Sequence, residues 1–254
     1  MNLYSKLFVV FITICLLSGC REKPVALWSI SGQRIPITDS LPAIDSLEEF
    51  ILPYRNRVNQ VLDSTLAYAP YAITKSDGQW NTTAGNLMAD IVLEQAGPIF
   101  KMRTGKDLDL VLLNHGGIRS IISQGPVTAR TAYEVMPFEN QIAVTEMKGP
   151  AVRQLISFLI RSGRPHPVAG MQITLDKNKT LQSVTIQGRP FNENRSYFVG
   201  TSDYLVKGGD DMGFFRENDT VITLDYKIRN AMIDYFKKVD TLMPVIDNRF
   251  RQLK

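Results

Sequence analysis

Residues 107–120 read DLDLVLLNHGGIRS. A short run of leucines and valines bounded by turn-forming residues is a strand buried on both faces. It leaves the core through Asn114, His115, Gly116 and Gly117, and the guanidinium of Arg119 follows two residues later. Glycines at a strand end let backbone N–H groups approach an anion closely. Arginine can hold a phosphate or carboxylate with two parallel hydrogen bonds, a geometry lysine cannot copy. A plain glycine turn with a surface arginine would read the same way. What else the chain brings to this end of the strand decides between them.

Working outward, TTAGNLMADIVLEQAGPIFKMR (82–103) reads as a helix stopped near Gly97-Pro98. Before it, Leu47, Phe50, Ile51, Tyr54, Val58, Val61 and Leu62 recur at helical spacing, with Asp45 or Ser46 as cap. Pro53 predicts a late start or a kink there. Beyond the strand, TARTAYEVM (128–136) is a short helix, QIAVTEMKG (141–149) alternates like a strand, and GPAVRQLISFLIRSG (149–163) is an amphipathic helix ending at a glycine. GMQITLD (170–176), LQSVTIQ (181–187) and SYFVGTS (196–202) are strands, with NENR (192–195) turning into the last. DYLVKGGDDMGFF (203–215) is glycine-rich, and TLDYKIRNAMIDYFKKV (223–239) reads as a closing helix. Helices alternate with single strands early and strands cluster later. That order predicts an α+β (mixed α/β) single domain with a mixed sheet and packed helices, not a parallel doubly wound sheet.

The start of the chain is different in kind. Residues 1–19 carry one lysine and then an apolar stretch ending in Leu17-Ser18-Gly19, the pattern of a secretory signal too short to cross a bilayer. Cys20 in that setting resembles the processing box of bacterial lipoproteins, which makes it the expected lipidation site. Cys15 would be lost with the leader, so no disulfide is expected. Residues 20–44, with several prolines, read as a tether with a short strand near Ile35–Ile37, and residues 45–254 as the domain. The expected location is extracytoplasmic, on a periplasmic or outer-membrane face, touching the membrane only through the lipid. With a net charge of +4 and mixed signs, no nucleic-acid partner is expected.

Catalytic signatures are missing. The sequence has two histidines, His115 and His166, and no HExxH, GxSxG or GxxxxGK[ST] pattern. Hydrolytic metal centres need several histidines and carboxylates at set spacings, so neither a metal site nor a catalytic residue is nominated. Three stretches do suit a ligand. Asn114, Gly117 and Arg119 form the first. In Pro137-Phe138-Glu139-Asn140 the phenylalanine could stack on a ring while Asn140 reads its edge. In Tyr204-Leu205-Val206-Lys207-Gly208-Gly209-Asp210 a second aromatic precedes a carboxylate on a double-glycine turn, suited to two neighbouring hydroxyls. Each stretch also has a bland reading: a surface arginine, a packed loop phenylalanine, a turn-capping aspartate. Asp211 competes with Asp210 for the last role. Together, an arginine, two aromatics and a carboxylate are the parts of a nucleotide site.

GNLMAD, NHGGIR, VMPFEN, KGPAVRQLI and YLVKGGDDMGF, in that order, resemble the C-terminal domain of the 5'-nucleotidase family over roughly residues 45–245. The resemblance implies that fold and a nucleotide-binding role, with Asn114, Gly117 and Arg119 on the phosphate side. It implies Phe138 and Tyr204 around the base, where the family usually has two phenylalanines, and Asn140 at the base edge. Asp210, directly after Gly208-Gly209, is implied at the ribose hydroxyls. In that family a separate N-terminal metallophosphoesterase domain holds two metal ions and cleaves the phosphate. No cofactor is therefore expected in this chain, and divalent metals only in a partner metallophosphoesterase chain. The expected ligand is a nucleoside 5'-monophosphate or a nucleoside. Two departures stand out. SDGQWNTTAGNL (76–87) lacks an arginine that members often carry before the GNL helix, and His115 stands where many have glycine.

Overall fold

The structure, a computed structural model, describes residues 2–17, 27–38, 40–216 and 220–253. The chain forms two compact units, Met1–Phe50 and Ile51–Lys254. In the first, helix α1 (Leu3–Leu17) carries the apolar N-terminal stretch. Cys20, the expected lipidation site, lies outside the described residues. No described helix is long and apolar enough to cross a membrane. Residues 27–38 have no regular structure, so the expected strand at Ile35–Ile37 does not form; Ile35 is 83% and Ile37 90% exposed. Pro36 between them removes a ladder donor. Helix α2 (Asp45–Leu62) spans the boundary between the units. It begins at Asp45 and runs through Pro53, so of the late start or kink expected there the late start does not occur. Acids in its first turn, Asp45 and Glu48, suit the helix dipole. None of its residues is buried, so its apolar stripe is not a core face.

The second unit opens with strand β1 (Thr65–Ala69) and helix α3 (Thr83–Thr104). The Thr82 hydroxyl accepts from the Gly85 N–H at the start of α3. The expected stop at Gly97-Pro98 is overridden. Pro98 removes one donor, while Ala96 and Phe100 on either side are fully buried. Burial of Phe100 together with the partly buried Ile99 is worth about 3–5 kcal/mol, which offsets the roughly 3 kcal/mol that a proline costs inside a helix. The helix ends instead at Gly105, at φ 74°, whose N–H returns to the Lys101 carbonyl.

Next come β2 (Leu110–Leu112), β3 (Gly125–Thr128), α4 (Ala129–Val135) with a Thr128/Thr131 capping box, β4 (Gln141–Lys148) and α5 (Gly149–Ser162), closed by Gly163 at φ 60°. Strands β5 (Val168–Ala169), β6 (Met171–Leu175), β7 (Leu181–Ile186), β8 (Arg189–Pro190) and β9 (Ser196–Ser202) follow, then the single turn α6 (Asp203–Val206). The chain continues through β10 (Thr220–Lys227), α7 (Ile228–Phe236) and β11 (Phe250–Gln252). The first five residues of the expected closing helix, 223–227, are thus strand instead. Residues 220–223 pair antiparallel with β4, and Asp225 at φ 54° lies in the register shift before α7. The β-branched run before Leu224 favours the sheet.

Three sheets result: β1-β3, a central β10-β4-β9-β2-β5, and β11-β6-β7-β8. In the central sheet β2 runs parallel to β9, and β4 runs antiparallel to β9. Leu110 and Leu112 join one core cluster with Leu155, Ile156 and Leu159 of α5 and Ile173 and Val184 of the neighbouring sheet. Val111 and Leu113 join the other, with Met88, Ile91 and Phe100 of α3 and Met232 and Phe236 of α7. The sheet is covered on both faces, which is why β2 reads as an unbroken apolar run. The alternation expected of β4 is absent for the same reason: Ile142 to Thr145 are all buried. The α+β architecture is the one expected.

Phe100→Ala should lower the unfolding free energy by about 3–5 kcal/mol, read by urea denaturation of the full chain. A change under about 1 kcal/mol would mean that this face of α3 does not anchor the core.

Candidate functional site

The sheet directions bring three chain segments to one edge. β2 and β9 are parallel, so both end there; β4 is antiparallel, so it begins there. Asn114 follows β2 and leads into a tight 3-10 turn, His115–Gly117. Asn140 immediately precedes β4, and Tyr204 lies in α6 directly after β9. The Gln141 N–H donates to Asp203 Oδ1 at 3.1 Å, tying the last two together. Between them lies a cavity of about 320 Å³, lined by Asn114, Gly116, Gly117, Arg119, Phe138, Asn140, Tyr204 and Asp210. Seven of the sequence-nominated residues therefore share one cavity. Gly209 does not line it. It lies against the Tyr204 ring, where an added Cβ would come within 2.4 Å of Cζ.

Asp210 is the hub. Its Oδ2 accepts from Asn114 Nδ2 at 2.7 Å and its Oδ1 from the Tyr204 hydroxyl at 2.9 Å. Its backbone is left-handed, at φ 52° and ψ 37°, a region that aspartate tolerates better than most residues. Asp211 is also left-handed but faces a different trough, with Arg153, Phe158 and Glu193. Geometry thus separates the adjacent pair. Gly117 packs closely against Asn114: a Cβ would lie 2.9 Å from Asn114 Oδ1, so a larger residue would displace that amide. Arg119 is exposed; its Nη1 donates to the Gly116 carbonyl at 3.4 Å, and its guanidinium sits 5.8 Å from the Phe138 ring centroid. Phe138 and Tyr204 remain 41% and 44% exposed, so two aromatic surfaces are open to a ligand.

Against this geometry, the sequence matches the family described as 5'-nucleotidase, C-terminal domain, over residues 65–217. The chain belongs to that family. Among similar proteins, the cell wall protein Lmo0130 of Listeria monocytogenes is 26% identical over 206 residues, covering 72% of this chain and 26% of that protein. A 5'-nucleotidase of Vibrio vulnificus is 27% identical over 189 residues, covering 70% of this chain and 32% of that protein. The crystal structure of a 5'-nucleotidase precursor from Thermus thermophilus shares the fold, with a TM-score of 0.67 at 22% identity, over 82% of this chain and 43% of that one. The chain therefore spans 26% and 32% of the lengths of these two relatives and 43% of the solved chain.

In this 5'-nucleotidase C-terminal domain the cavity is held from behind by residues the sequence did not single out. Arg229 of α7 is buried against the Tyr133 ring, 4.1 Å from its centroid. Its Nη1 donates to the carbonyls of Pro137 at 3.2 Å and Phe138 at 3.4 Å, and its Nη2 pairs with Glu139. Lys227 donates to the other Glu139 oxygen, and the two cations hold that carboxyl down to about 2. The signal was an arginine placed between Ile228 and the buried Ala231-Met232 of an apolar helix face. Lys75 donates to the Ile118 carbonyl at 2.6 Å, a second cation beside the glycine turn.

His166 is buried behind the same turn. Its Nδ1 accepts from the His115 N–H at 3.2 Å, so the ring proton sits on Nε2 and points to Ser162 Oγ at 3.1 Å. Burial, with His115 nearby, pushes His166 down to about 4. His115 is itself lowered by burial and by Lys75. Among the described residues no three His, Cys, Asp or Glu side chains gather as a metal-binding group. A larger open groove, of about 910 Å³, shares none of the cavity's residues. Two of its cations are already paired, Lys101 with Asp107 at 2.8 Å and Arg195 with Asp109 at 3.0 Å, as on an ordinary solvated surface.

An unfolded histidine takes a proton near pH 6.5, whereas His166 waits until about 4. Between those values the unfolded chain binds more protons, so stability is full above pH 6.5 and falls as the pH drops toward 4. The loss attributable to His166 should be on the order of 3 kcal/mol. Denaturation curves from pH 7 to 4 should be flatter for His166→Gln; an unchanged slope would show that His166 does not stay neutral.

Proposed function

We propose that this chain is the substrate-binding, specificity-determining half of a 5'-nucleotidase-type phosphoric ester hydrolase. It holds a nucleoside 5'-monophosphate or a nucleoside, and a separate metallophosphoesterase chain supplies the divalent metals and cuts the ester. The observation that carries this reading is the convergence of an arginine, two open aromatics, two amides and a carboxylate on one cavity. Arg119 and the N–H groups of the Gly116-Gly117 turn meet the phosphate, with Asn114 beside them. Phe138 and Tyr204 flank the base, and Asn140 reads its edge. Asp210 accepts from the sugar hydroxyls. The relatives named as 5'-nucleotidases support the substrate class.

The donor set supports leaving the metals to another chain. His166 spends both ring nitrogens on the His115 N–H and Ser162. Among the described residues the other histidine, His115, belongs to no group of three or more His, Cys, Asp or Glu side chains that could hold a metal ion. Two metal ions would lower the pKa of bound water and neutralise charge on the transferring phosphate. What this chain contributes is grip, orientation and selection. The proposed place is extracytoplasmic, which a relative named as a cell wall protein supports, and the proposed anchor is lipid on Cys20, which the N-terminal sequence pattern supports. One observation favours a second reading, a non-catalytic nucleotide-binding lipoprotein: Arg119 is the sole cation among the residues lining the cavity.

Calorimetric titration of the full chain with AMP and adenosine tests the binding. Phe138→Ala should weaken both ligands about tenfold or more, because base stacking is worth roughly 1–3 kcal/mol. Arg119→Ala should weaken AMP and leave adenosine unchanged. Failure of the wild-type chain to bind either ligand would overturn the nucleotide reading. Mixing with metallophosphoesterase chains of the same organism should give a complex and a gain in AMP hydrolysis. Binding with neither would favour the stand-alone lipoprotein.

A further inference from the structure

The contacts around Asp210 carry more than a binding role. An ionised carboxylate only accepts hydrogen bonds, and its two oxygens can take one donor each from a vicinal diol. Here neither oxygen is free of a donor: Asn114 Nδ2 holds Oδ2 at 2.7 Å and the Tyr204 hydroxyl holds Oδ1 at 2.9 Å. Both side chains of the Tyr204–Asp210 pair are exposed, and the ring is laid against Gly209, which leaves no room there for a Cβ. The ring that should flank a base is thus tethered, through its own phenol, to the carboxylate that should take the sugar.

Resting on the nucleoside-binding reading above, we propose that the Tyr204 hydroxyl is a built-in competitor for the sugar diol at Asp210, exchanged for a ribose hydroxyl on binding, and that it sets how strongly this domain takes ribonucleosides. A phenol and a sugar hydroxyl are donors of the same kind, so the exchange trades one charge-assisted bond for another. A ligand that brings a hydroxyl to Oδ1 replaces what it displaces. A ligand without one leaves the phenol in place and gains nothing from Asp210. The phenol therefore costs affinity only for sugars that reach the carboxylate. The same hydrogen bond to Asp210 raises the phenol pKa above its ordinary value, which gives a readout that needs no ligand.

The test compares the wild-type full chain with Tyr204→Phe, which keeps the ring and removes the competitor. Calorimetry with adenosine and with 2',3'-dideoxyadenosine reads the difference. The expected result is about a three- to tenfold tighter Kd for adenosine in Tyr204→Phe, with dideoxyadenosine unchanged. Weaker adenosine binding would overturn the proposal, since the phenol would then be a helper of the bound state. An equal gain for both ligands would also overturn it, by placing the effect at the base. If adenosine binding depends on Phe138 and is the same in wild type and Tyr204→Phe, the binding reading stands and the competitor falls. If neither protein binds any nucleoside, both fall. NMR titration of ring-labelled tyrosine supplies the second measurement. Burial also raises Tyr226 and Tyr235, so among the tyrosines that titrate high one should move back toward the ordinary range in Asp210→Asn while those two stay; no such change would remove the contact on which the competitor rests.

Discussion

The parallel pairing of β2 with β9 is the constraint on which the rest depends. Leu110 aligns with Val199 and Val111 with Gly200, and the fit at that last pair is close. A Cβ on Gly200 would lie 3.1 Å from Val111 Cγ2 and 3.3 Å from a Leu108 methyl. Because the two strands run the same way, their carboxyl ends emerge at one edge. Because β4 opposes β9, with Ile142 facing Ser202, its first residues emerge there too. Loops that are far apart in sequence, at 114, 138, 204 and 210, are therefore neighbours without any long insertion. Ligand sites outside the carboxyl ends of parallel strands are a general result of such geometry.

Two cores, one on each face of the sheet, keep that edge rigid. The turn at His115–Gly117 is fastened from behind by His166, and the loop at 137–139 by Arg229. Each fastener is a buried polar group with directional bonds, so it fixes a position where apolar packing alone would fix a volume. The aromatic surfaces and the guanidinium in front stay exposed. The site is thus stiff underneath and open above, which preserves geometry at low cost in ordering.

Much of this was legible in the sequence because the signals were local. An apolar run ending in Asn-His-Gly-Gly, the short helical run TARTAYEVM and a glycine after LIRS each act within a few residues. Apart from the strand at Ile35–Ile37, which fails for the local reason of Pro36, the misreadings were tertiary. Gly97-Pro98 has the chemistry of a helix stop, but Phe100 is buried on the far side. Residues 223–227 have helical neighbours, yet β4 offers them an open ladder. The stripe of α2 has the period of a core face, yet none of its residues is buried. At the site the lining residues could be read because each carries its chemistry on its own side chain. Arg229, His166 and Lys75 could not, since their importance lies in which distant carbonyl or N–H they reach. Side-chain chemistry alone left Asp210 and Asp211 equivalent; the family resemblance preferred Asp210, and the turn sends the two neighbours into different troughs.

The left-handed backbone at Asp210 narrows what evolution can do at this position. Most side chains would strain the turn that carries Gly209 and, through it, the seat of the Tyr204 ring. Asparagine is the exception, nearly isosteric and equally at ease in that conformation. A single-base change in an aspartate codon reaches it. A lineage that no longer needs the sugar carboxylate can therefore silence it in one mutational step and keep the fold intact. In descendants of this domain the residue after the double glycine is the first place where a change of ligand would be written.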